Sequence, residues 1–153
     1  MNIQYSIPQL KGLLSIPGRH GLGQIGEYVA SLLLKASGYD ISHNHCDQRG
    51  DLIAWHPSGK TYRVEVKTAR KSSDGAWRFC LWKKGKTDYR HSDFIVLLAV
   101  TKSGDCIPFV IPTSDIKKKI TVIAITSNPR TYGGKWSIYR QSLHEGLQLC
   151  RIN

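Results

Sequence analysis

Two acidic residues and one lysine are spaced along the chain in a way that suits metal-dependent chemistry. Asp51 opens a short apolar segment, and Glu65 and Lys67 lie in a later segment where apolar and polar residues alternate. Alternate side chains of a β-strand share a face, so we expect Glu65 and Lys67 on one face, about 6–7 Å apart. A turn predicted at residues 57–59 makes the two segments a hairpin, which brings Asp51 across from the Glu65 region.

Two carboxylates in such a position need a cation between them. At a separation of about 4 Å they repel by roughly 4 kcal/mol at an effective dielectric constant of about 20, so both stay ionised only if positive charge joins them. Lys67 supplies one such charge. A hard divalent ion such as Mg²⁺ suits the site better, because it takes oxygen ligands, keeps several waters and shares its shell with substrate phosphate. The sequence therefore predicts a Mg²⁺ site, with Mn²⁺ as a substitute.

The charge of the chain indicates a polyanionic partner. Its 153 residues include 22 Lys and Arg against 11 Asp and Glu, a net charge of +11. Residues 60–90 hold ten of these basic residues and three of the acids, which gives +7 in one segment. Aromatic residues are interleaved with them, a mixture expected where phosphates and bases are both contacted. Trp77, Phe79 and Leu81 have an alternative interpretation, which we favour: they alternate along the sequence and would form one buried face of a strand.

Length and composition limit the class of protein. A chain of 153 residues suits one domain, with an N-terminal arm at residues 1–20, a core at 21–126 and a C-terminal elaboration at 127–153. No run approaches the roughly 18 apolar residues of a membrane span, and residues 1–10 lack the pattern of an export signal. We therefore expect a soluble, cytoplasmic protein. The four cysteines include no CxxC pair and are expected to be free thiols; they are Cys46, Cys80, Cys106 and Cys150.

The rest of the chain supplies the elements that must position these side chains. Residues 24–37 predict a helix, because apolar residues recur at helical spacing and Gly38 stands where a cap belongs. Strands are expected at residues 39–42, 51–55, 62–68, 94–100, 107–111 and 120–126. A short helix beginning at Ser114 is expected to end with the lysines at 117–119, where cations complement the helix dipole. This order predicts an α/β fold with a central mixed β-sheet flanked by helices.

With these elements in place, the chain resembles the PD-(D/E)XK nuclease superfamily, in which an acid heads one strand and an acid-X-Lys lies on the next. Asp51 and Glu65-Val66-Lys67 match that motif. Members also tend to carry a glutamate on the preceding helix, where this chain has Glu27. The chain departs from the motif at Gly50, where the superfamily has proline. The resemblance covers about residues 23–112 and implies a restriction-endonuclease-like core.

The resemblance implies a metal-dependent DNA endonuclease. Asp51 and Glu65 would bind Mg²⁺ directly, with the Val66 carbonyl as a third ligand and Glu27 acting through water or a second ion. Lys67 would orient or activate the attacking water and offset charge in the transition state. The products would carry a 5′-phosphate and a 3′-hydroxyl.

The small, basic format is similar to two groups of this superfamily, the intron-encoded homing endonucleases and the archaeal Holliday-junction resolvases. Residues 87–93 and 108–112 favour the first group. A homing enzyme would read bases, and a resolvase would read the shape of a junction. Cutting both strands of double-stranded or branched DNA implies a homodimer or homotetramer. A basic DNA-binding module without catalysis is the remaining alternative. The side chains expected to contact DNA are Arg19, His20, Arg70, Lys71, Lys83, Lys84, Lys86 and Arg90.

Two other motifs have simpler interpretations. The glycines at 21, 23 and 26 match the dinucleotide fingerprint G-x-G-x-x-G. However, no predicted strand leads directly into Gly21, and the carboxylate of Glu27 would repel a bound pyrophosphate. We expect these glycines to allow close approach of the backbone to DNA or to the sheet. His43 and His45 invite a zinc site, yet no second pair of ligands stands at the required spacing. A turn with hydrogen-bonding side chains is the interpretation we prefer.

Overall fold

The structure is a computed structural model that describes residues 12, 14, 21–44, 50–82, 89–126, 132–143 and 146–149. Five of the eight predicted DNA contacts lie outside the described residues, as do His45, Cys46 and Cys150; these five contacts are Arg19, His20, Lys83, Lys84 and Lys86. Helix α1 spans Leu22–Ala36. The strands are β1 Asp40–His43, β2 Leu52–Trp55, β3 Thr61–Arg70, β4 Ala76–Cys80, β5 Phe94–Val100, β6 Cys106–Pro112 and β7 Val122–Thr126.

Five of these strands form a mixed sheet in the order β1-β2-β3-β5-β6. Strands β1, β2 and β3 pair antiparallel, β3 and β5 pair parallel, and β6 pairs antiparallel with β5. The predicted turn joins β2 to β3, where the Gly59 N–H donates to the His56 carbonyl at 2.9 Å. Residues 95–100 of β5 are all buried, as their continuous apolar run predicted. The expected α/β fold with a central mixed sheet is confirmed.

Helix α1 covers one face of the sheet and confirms the helix predicted at residues 24–37. Its apolar side chains pack with Val64 and Val66 of β3. The helix ends before Gly38, which adopts the left-handed φ of +92° that a terminating glycine favours. At its other end Gly26 lies directly against β3, since a Cβ on Gly26 would fall 1.7 Å from the Thr68 Oγ1. The third glycine of the supposed dinucleotide fingerprint therefore allows close packing of helix on sheet.

A second layer covers the opposite face. Strands β4 and β7 form a two-stranded antiparallel sheet. Trp77, Phe79 and Leu81 are only 3%, 1% and 3% exposed, so the interpretation of these residues as a buried strand face is confirmed. They pack with Ala69 of β3 and with alternate residues of β5. A 3-10 helix at Tyr132–Tyr139 adds Trp136 to the same layer.

The short helix predicted from Ser114 to the three lysines is wrong. Only a single 3-10 turn forms at Thr113–Asp115, and the next residue, Ile116, adopts extended backbone. Ile116 is 5% exposed and belongs to the second core layer, so its burial draws the chain out of the helical path. The lysines at 117–119 follow this residue and are all exposed.

Two cysteines lie within the described ranges, and both are free thiols as predicted. Cys80 is exposed, whereas Cys106 is buried. Burial raises the pKa of the Cys106 thiol to about 12, which keeps it protonated and unreactive at neutral pH. Among the described residues no helix is long and apolar enough to cross a membrane.

Candidate active site

Strand β3 presents Glu65 and Lys67 on the same face, as its alternating sequence predicts. Because Val64 and Val66 pack beneath α1, the side chains of Glu65 and Lys67 project from the opposite face. The Lys67 Nζ lies 2.5 Å from the Glu65 Oε1. The Lys67 side chain is 30% exposed and the Glu65 side chain 15% exposed. The carboxylate is therefore largely shielded from water, and its ion pair is correspondingly less screened than one at the surface.

Asp51 joins this pair at the point where β2 begins. Its backbone N–H donates to the Val64 carbonyl at 2.8 Å, and its Oδ2 accepts a hydrogen bond from the Val66 N–H at 2.7 Å. That N–H belongs to the peptide linking Glu65 to Val66, so by bond lengths alone the Asp51 Oδ2 lies within about 6 Å of the Glu65 Cα. The structure thus brings together Asp51, Glu65 and Lys67, as their spacing in the sequence predicts.

The carbonyl of Val66 faces the same edge of β3 as Asp51. In an extended strand the N–H and C=O of one residue point to the same side. Since the Val66 N–H points to Asp51, its carbonyl also points away from β5 and toward the β2 side of β3, beyond Leu52, the first residue of β2. This orientation gives the site a third oxygen on one edge of the strand.

Gly50 determines how the chain enters the site. It adopts a left-handed φ of +88°, and a Cβ there would lie 2.9 Å from the Ser92 Oγ and 3.0 Å from the Val64 carbonyl oxygen. Proline, with φ held near −65°, could not take this conformation. The departure from the superfamily motif at this position therefore has a local cause, because Asp51 reaches Val66 through a backbone that only glycine adopts without strain. Nothing in the sequence pattern singled out Ser92 as the neighbour of Gly50.

Asp93 resembles Asp51 in geometry but lies on the other edge of β3. Its Oδ2 accepts from the Arg63 N–H at 2.7 Å, and its own N–H donates to the Arg63 carbonyl at 2.8 Å. Asp93 precedes β5, so these bonds start the parallel pairing of β3 with β5. Asp93 is thus an exposed carboxylate whose bonds to the β3 backbone serve the pairing of two strands.

Glu27 belongs to α1, the helix that covers the other face of the sheet. It is half-buried in α1, next to Gly26 and its contact with Thr68. In the described part of the chain no three His, Cys, Asp or Glu side chains form a group able to hold a metal ion. Glu27 therefore does not form such a group with Asp51 and Glu65. His43 likewise belongs to no such group among the described residues. The role of Glu27 through water or a second ion stays a prediction.

The remaining donors suit Mg²⁺. Asp51 and Glu65 contribute two carboxylates, and Lys67 offsets one of the two charges, so the cluster keeps one negative charge. Its donors are all oxygens, the ligands that Mg²⁺ and Mn²⁺ prefer. The donor chemistry therefore fits the predicted ion, and whether the ion binds stays a prediction.

Three predicted DNA contacts are described. Arg70 ends β3 and Lys71 follows it, both half-buried, and Arg90 is exposed in the 3-10 turn Tyr89–His91. The Lys71 Nζ lies 4.9 Å from the centre of the Trp77 ring. Lys102, which no sequence pattern singled out, lies in a turn beside Lys71, because the parallel pairing of β3 with β5 places the residues after both strands at one end of the sheet.

Comparison with known proteins finds likeness in structure alone. No protein-family model matches the chain, and no curated protein sequence matches it significantly. Among solved structures, the fold is similar to that of the bacterial homing endonuclease I-Ssp6803I, with a TM-score of 0.65 and 21% sequence identity. The match covers 84% of this chain and 91% of that chain. At this identity the likeness shows a shared fold; membership of the PD-(D/E)XK superfamily stays a prediction.

Proposed function

We propose that this protein is a metal-dependent DNA endonuclease of the site-specific, homing or restriction type. The observation that carries the proposal is the hydrogen bond from the Val66 N–H to Asp51, which holds a carboxylate beside the Glu65–Lys67 ion pair. The fold shared with a bacterial homing endonuclease supports the same proposal. The net charge of +11 suits a nucleic-acid substrate.

The metal-binding residues in this proposal are Asp51, Glu65 and the carbonyl of Val66. Mg²⁺ held by them would polarise the scissile phosphate and lower the pKa of an attacking water. The residues of the chain must then do the positioning. Asp51 keeps its place through one oxygen on the Val66 N–H, and its carboxylate has a second oxygen for a ligand.

Lys67 is the residue proposed to act on the attacking water and on the transition state. Its ammonium group lies at the Glu65 carboxylate, so it can donate a hydrogen bond to a water beside that carboxylate. It also offsets the negative charge that develops on phosphorus-bound oxygens. The water oxygen would bond to phosphorus as it loses a proton to solvent, and the bond to the 3′ oxygen would break as that oxygen takes a proton from solvent, which leaves a 5′-phosphate and a 3′-hydroxyl.

DNA binding would rely on the basic residues around this site. Residues 60–90 carry a net charge of +7, and they include the whole of β3. Contacts to phosphates from the side chains predicted to bind DNA, which include Arg70, Lys71 and Arg90 but not Lys60, position a duplex without reading its sequence. We therefore expect affinity to fall steeply with salt, because each neutralised phosphate releases bound counterions. One site cuts one strand, so cutting both strands would require a symmetric dimer or tetramer.

The direct test is cleavage of a pool of randomised DNA duplexes in Mg²⁺ or Mn²⁺, followed by sequencing of the new ends. A randomised pool contains the unknown target, and a four-way junction in a parallel reaction tests for a resolvase. We expect cutting of a subset of duplexes, and loss of that cutting in Asp51→Asn, Glu65→Gln and Lys67→Ala. Asp93→Asn is the matched control, because Asp93 also binds a β3 N–H but on the other edge.

Each outcome has a distinct meaning. Cutting of the junction alone would replace the homing-type proposal with a resolvase. DNA binding without any new ends in either metal would leave a basic binding module and overturn the endonuclease. Cutting that survives in all three site variants would place the active site elsewhere.

A further inference from the structure

Two turns of the same kind follow the parallel strands β3 and β5. In the first, the Gly75 N–H donates to the Ser72 carbonyl at 3.0 Å, and in the second the Gly104 N–H donates to the Thr101 carbonyl at 3.1 Å. Both glycines adopt a left-handed φ, +83° and +82°. Each turn therefore returns the chain sharply and leaves its polar residues at the end of the sheet.

The two turns are neighbours because their strands are parallel and in register. Arg70, the last residue of β3, pairs with Val100, the last residue of β5. The ladder continues for one more bond, in which the Lys71 N–H donates to the Val100 carbonyl at 3.2 Å. In α/β sheets the space beyond the carboxyl ends of such strands is a common place for ligands.

An open pocket of about 510 Å³ lies between these turns. Its lining includes two lysines and four hydroxyl side chains but no carboxylate. These residues are Lys71, Ser72, Ser73, Thr101, Lys102 and Ser103. The two ammonium groups are the donors with which the pocket can contact phosphate oxygens, because the Ser72 and Ser103 hydroxyls already donate to Asp74 and Asp105.

The acids near the pocket have partners of their own. The carboxylate of Asp74 forms an ion pair with Arg78, and that guanidinium is the main reason that the pKa of Asp74 lies well below its usual range. The Asp105 Oδ2 accepts a hydrogen bond from the Ser103 Oγ at 2.6 Å. Neither acid belongs to the lining. Lys71 and Lys102 form no ion pair with any described residue.

Lys71 is held in position before any ligand arrives. Its Nζ lies 4.9 Å from the centre of the Trp77 ring, a cation–π contact. Trp77 is itself fixed, because its Nε1 donates to the Val100 carbonyl at 2.8 Å and its side chain is buried. A lysine ordered in this way loses less conformational entropy when it binds an anion.

We propose that this pocket binds a phosphate of the DNA backbone at a point away from the scissile bond. This inference rests on the proposed DNA substrate and adds to it a second anchoring site. Lys71 follows Lys67 by four residues, roughly 13 Å along an extended strand. That distance corresponds to about four base pairs of duplex length at about 3.4 Å per base pair. A duplex that lies along β3 and is cut at Asp51 and Glu65 would therefore place a phosphate about four base pairs from the scissile bond at Lys71 and Lys102.

The test compares Lys71→Gln and Lys102→Gln with Lys60→Gln in binding to a fluorescent DNA duplex. Lys60 is an exposed lysine in the β2–β3 turn, at the other end of β3, so its variant has the same change of charge. Binding is measured in EDTA across a range of salt, where cleavage does not interfere. We expect each pocket variant to raise Kd about five- to tenfold and to lower the slope of log Kd against log salt by about 0.9.

The control variant should change Kd by less than about twofold, as expected for a charge remote from the DNA. If the pocket variants behave like Lys60→Gln, or if the wild type binds no duplex, the pocket proposal is wrong. Inorganic phosphate alone is titrated in parallel, and saturable binding as tight as that of the duplex would assign the pocket to free phosphate instead. If affinity falls as expected but no DNA is cut in Mg²⁺, the pocket proposal stands and the nuclease proposal fails. If DNA is cut but the pocket variants bind it like Lys60→Gln, the nuclease proposal stands and the pocket proposal fails.

Discussion

The Asp51 carboxylate accepts a hydrogen bond from the Val66 N–H at 2.7 Å, beyond the last residue pair of β2 and β3. The side chain thus continues the pairing of the two strands by one bond. It also places its charge next to Glu65, which precedes Val66. One contact therefore serves two purposes, the start of the hairpin and the position of a candidate ligand.

This double role predicts different effects for two substitutions of Asp51. Asp51→Ala leaves the Val66 N–H without its acceptor and should lower the free energy of unfolding by about 1–3 kcal/mol. Asp51→Asn keeps an acceptor oxygen and should cost less than about 1 kcal/mol. Urea denaturation followed by circular dichroism measures both. Equal losses in the two variants would show that the hydrogen bond contributes nothing to stability.

Asp93 provides the comparison for this prediction. Asp93→Ala removes the acceptor of the Arg63 N–H at an exposed position, where water can replace it, and should cause a smaller loss of stability, about 0.5–1.5 kcal/mol. It should leave cleavage intact, because it lies on the β5 side of β3. A loss of cleavage in Asp93→Ala at a temperature where the protein remains folded would extend the active site to that edge.

Metal binding should appear as a change in thermal stability. An ion that binds only the folded protein stabilises it by about 2.7 kcal/mol at a hundred times its Kd. We therefore expect Mg²⁺ or Mn²⁺ to raise Tm in the wild type, and to do so much less in Asp51→Asn and Glu65→Gln. Differential scanning fluorimetry at several metal concentrations measures the effect. The same rise in all three proteins would place the ion at another site.

How far the sequence predicts this site can be judged residue by residue. Period-two alternation placed Glu65 and Lys67 on one face of a strand, and the turn at 57–59 placed Asp51 near them; both expectations match the structure. The pairing of β4 with β7 could not be predicted, because β5 and β6 lie between the two strands in sequence and only tertiary packing joins them.

Two further details depend on contacts that no local pattern carries. Gly50 has no room for a Cβ because of the Ser92 Oγ and the Val64 carbonyl, which belong to other segments of the chain. Ile116 ends a predicted helix because the second core layer buries its side chain. In both cases tertiary packing determines the backbone, which propensity alone does not reveal.

Lys67 should affect metal binding and cleavage in opposite directions. Its ammonium group offsets charge at Glu65 and so competes with a cation for that carboxylate. Lys67→Met removes the positive charge and should tighten binding of Mg²⁺ by about fivefold or more, since such a pair is worth about 1 kcal/mol even in water. Cleavage should be lost, because the proposed donor to the attacking water is absent. Isothermal titration with the metal and the cleavage assay measure the two effects; weaker metal binding in Lys67→Met would contradict the prediction.

Helix α1 offers a matched pair of glycines for testing how closely it packs on the sheet. A Cβ on Gly23 would have nothing within 4 Å, whereas a Cβ on Gly26 would overlap the Thr68 Oγ1. Gly23→Ala should stabilise the protein by about 0.5–1 kcal/mol, because alanine is the better helix former. Gly26→Ala should destabilise it by about 1–3 kcal/mol, because helix and strand must separate to admit the methyl group.

Thr68 determines whether that loss can be recovered. Replacing Thr68 with glycine removes all three side-chain atoms that a Cβ on Gly26 would meet. Gly26→Ala combined with Thr68→Gly should therefore cost less than the sum of the two single changes, a coupling that a double-mutant cycle in urea measures. The helix also carries Glu27, so recovery of stability should be accompanied by recovery of any cleavage lost in Gly26→Ala. Additive losses would mean that the helix does not pack on β3 at this point.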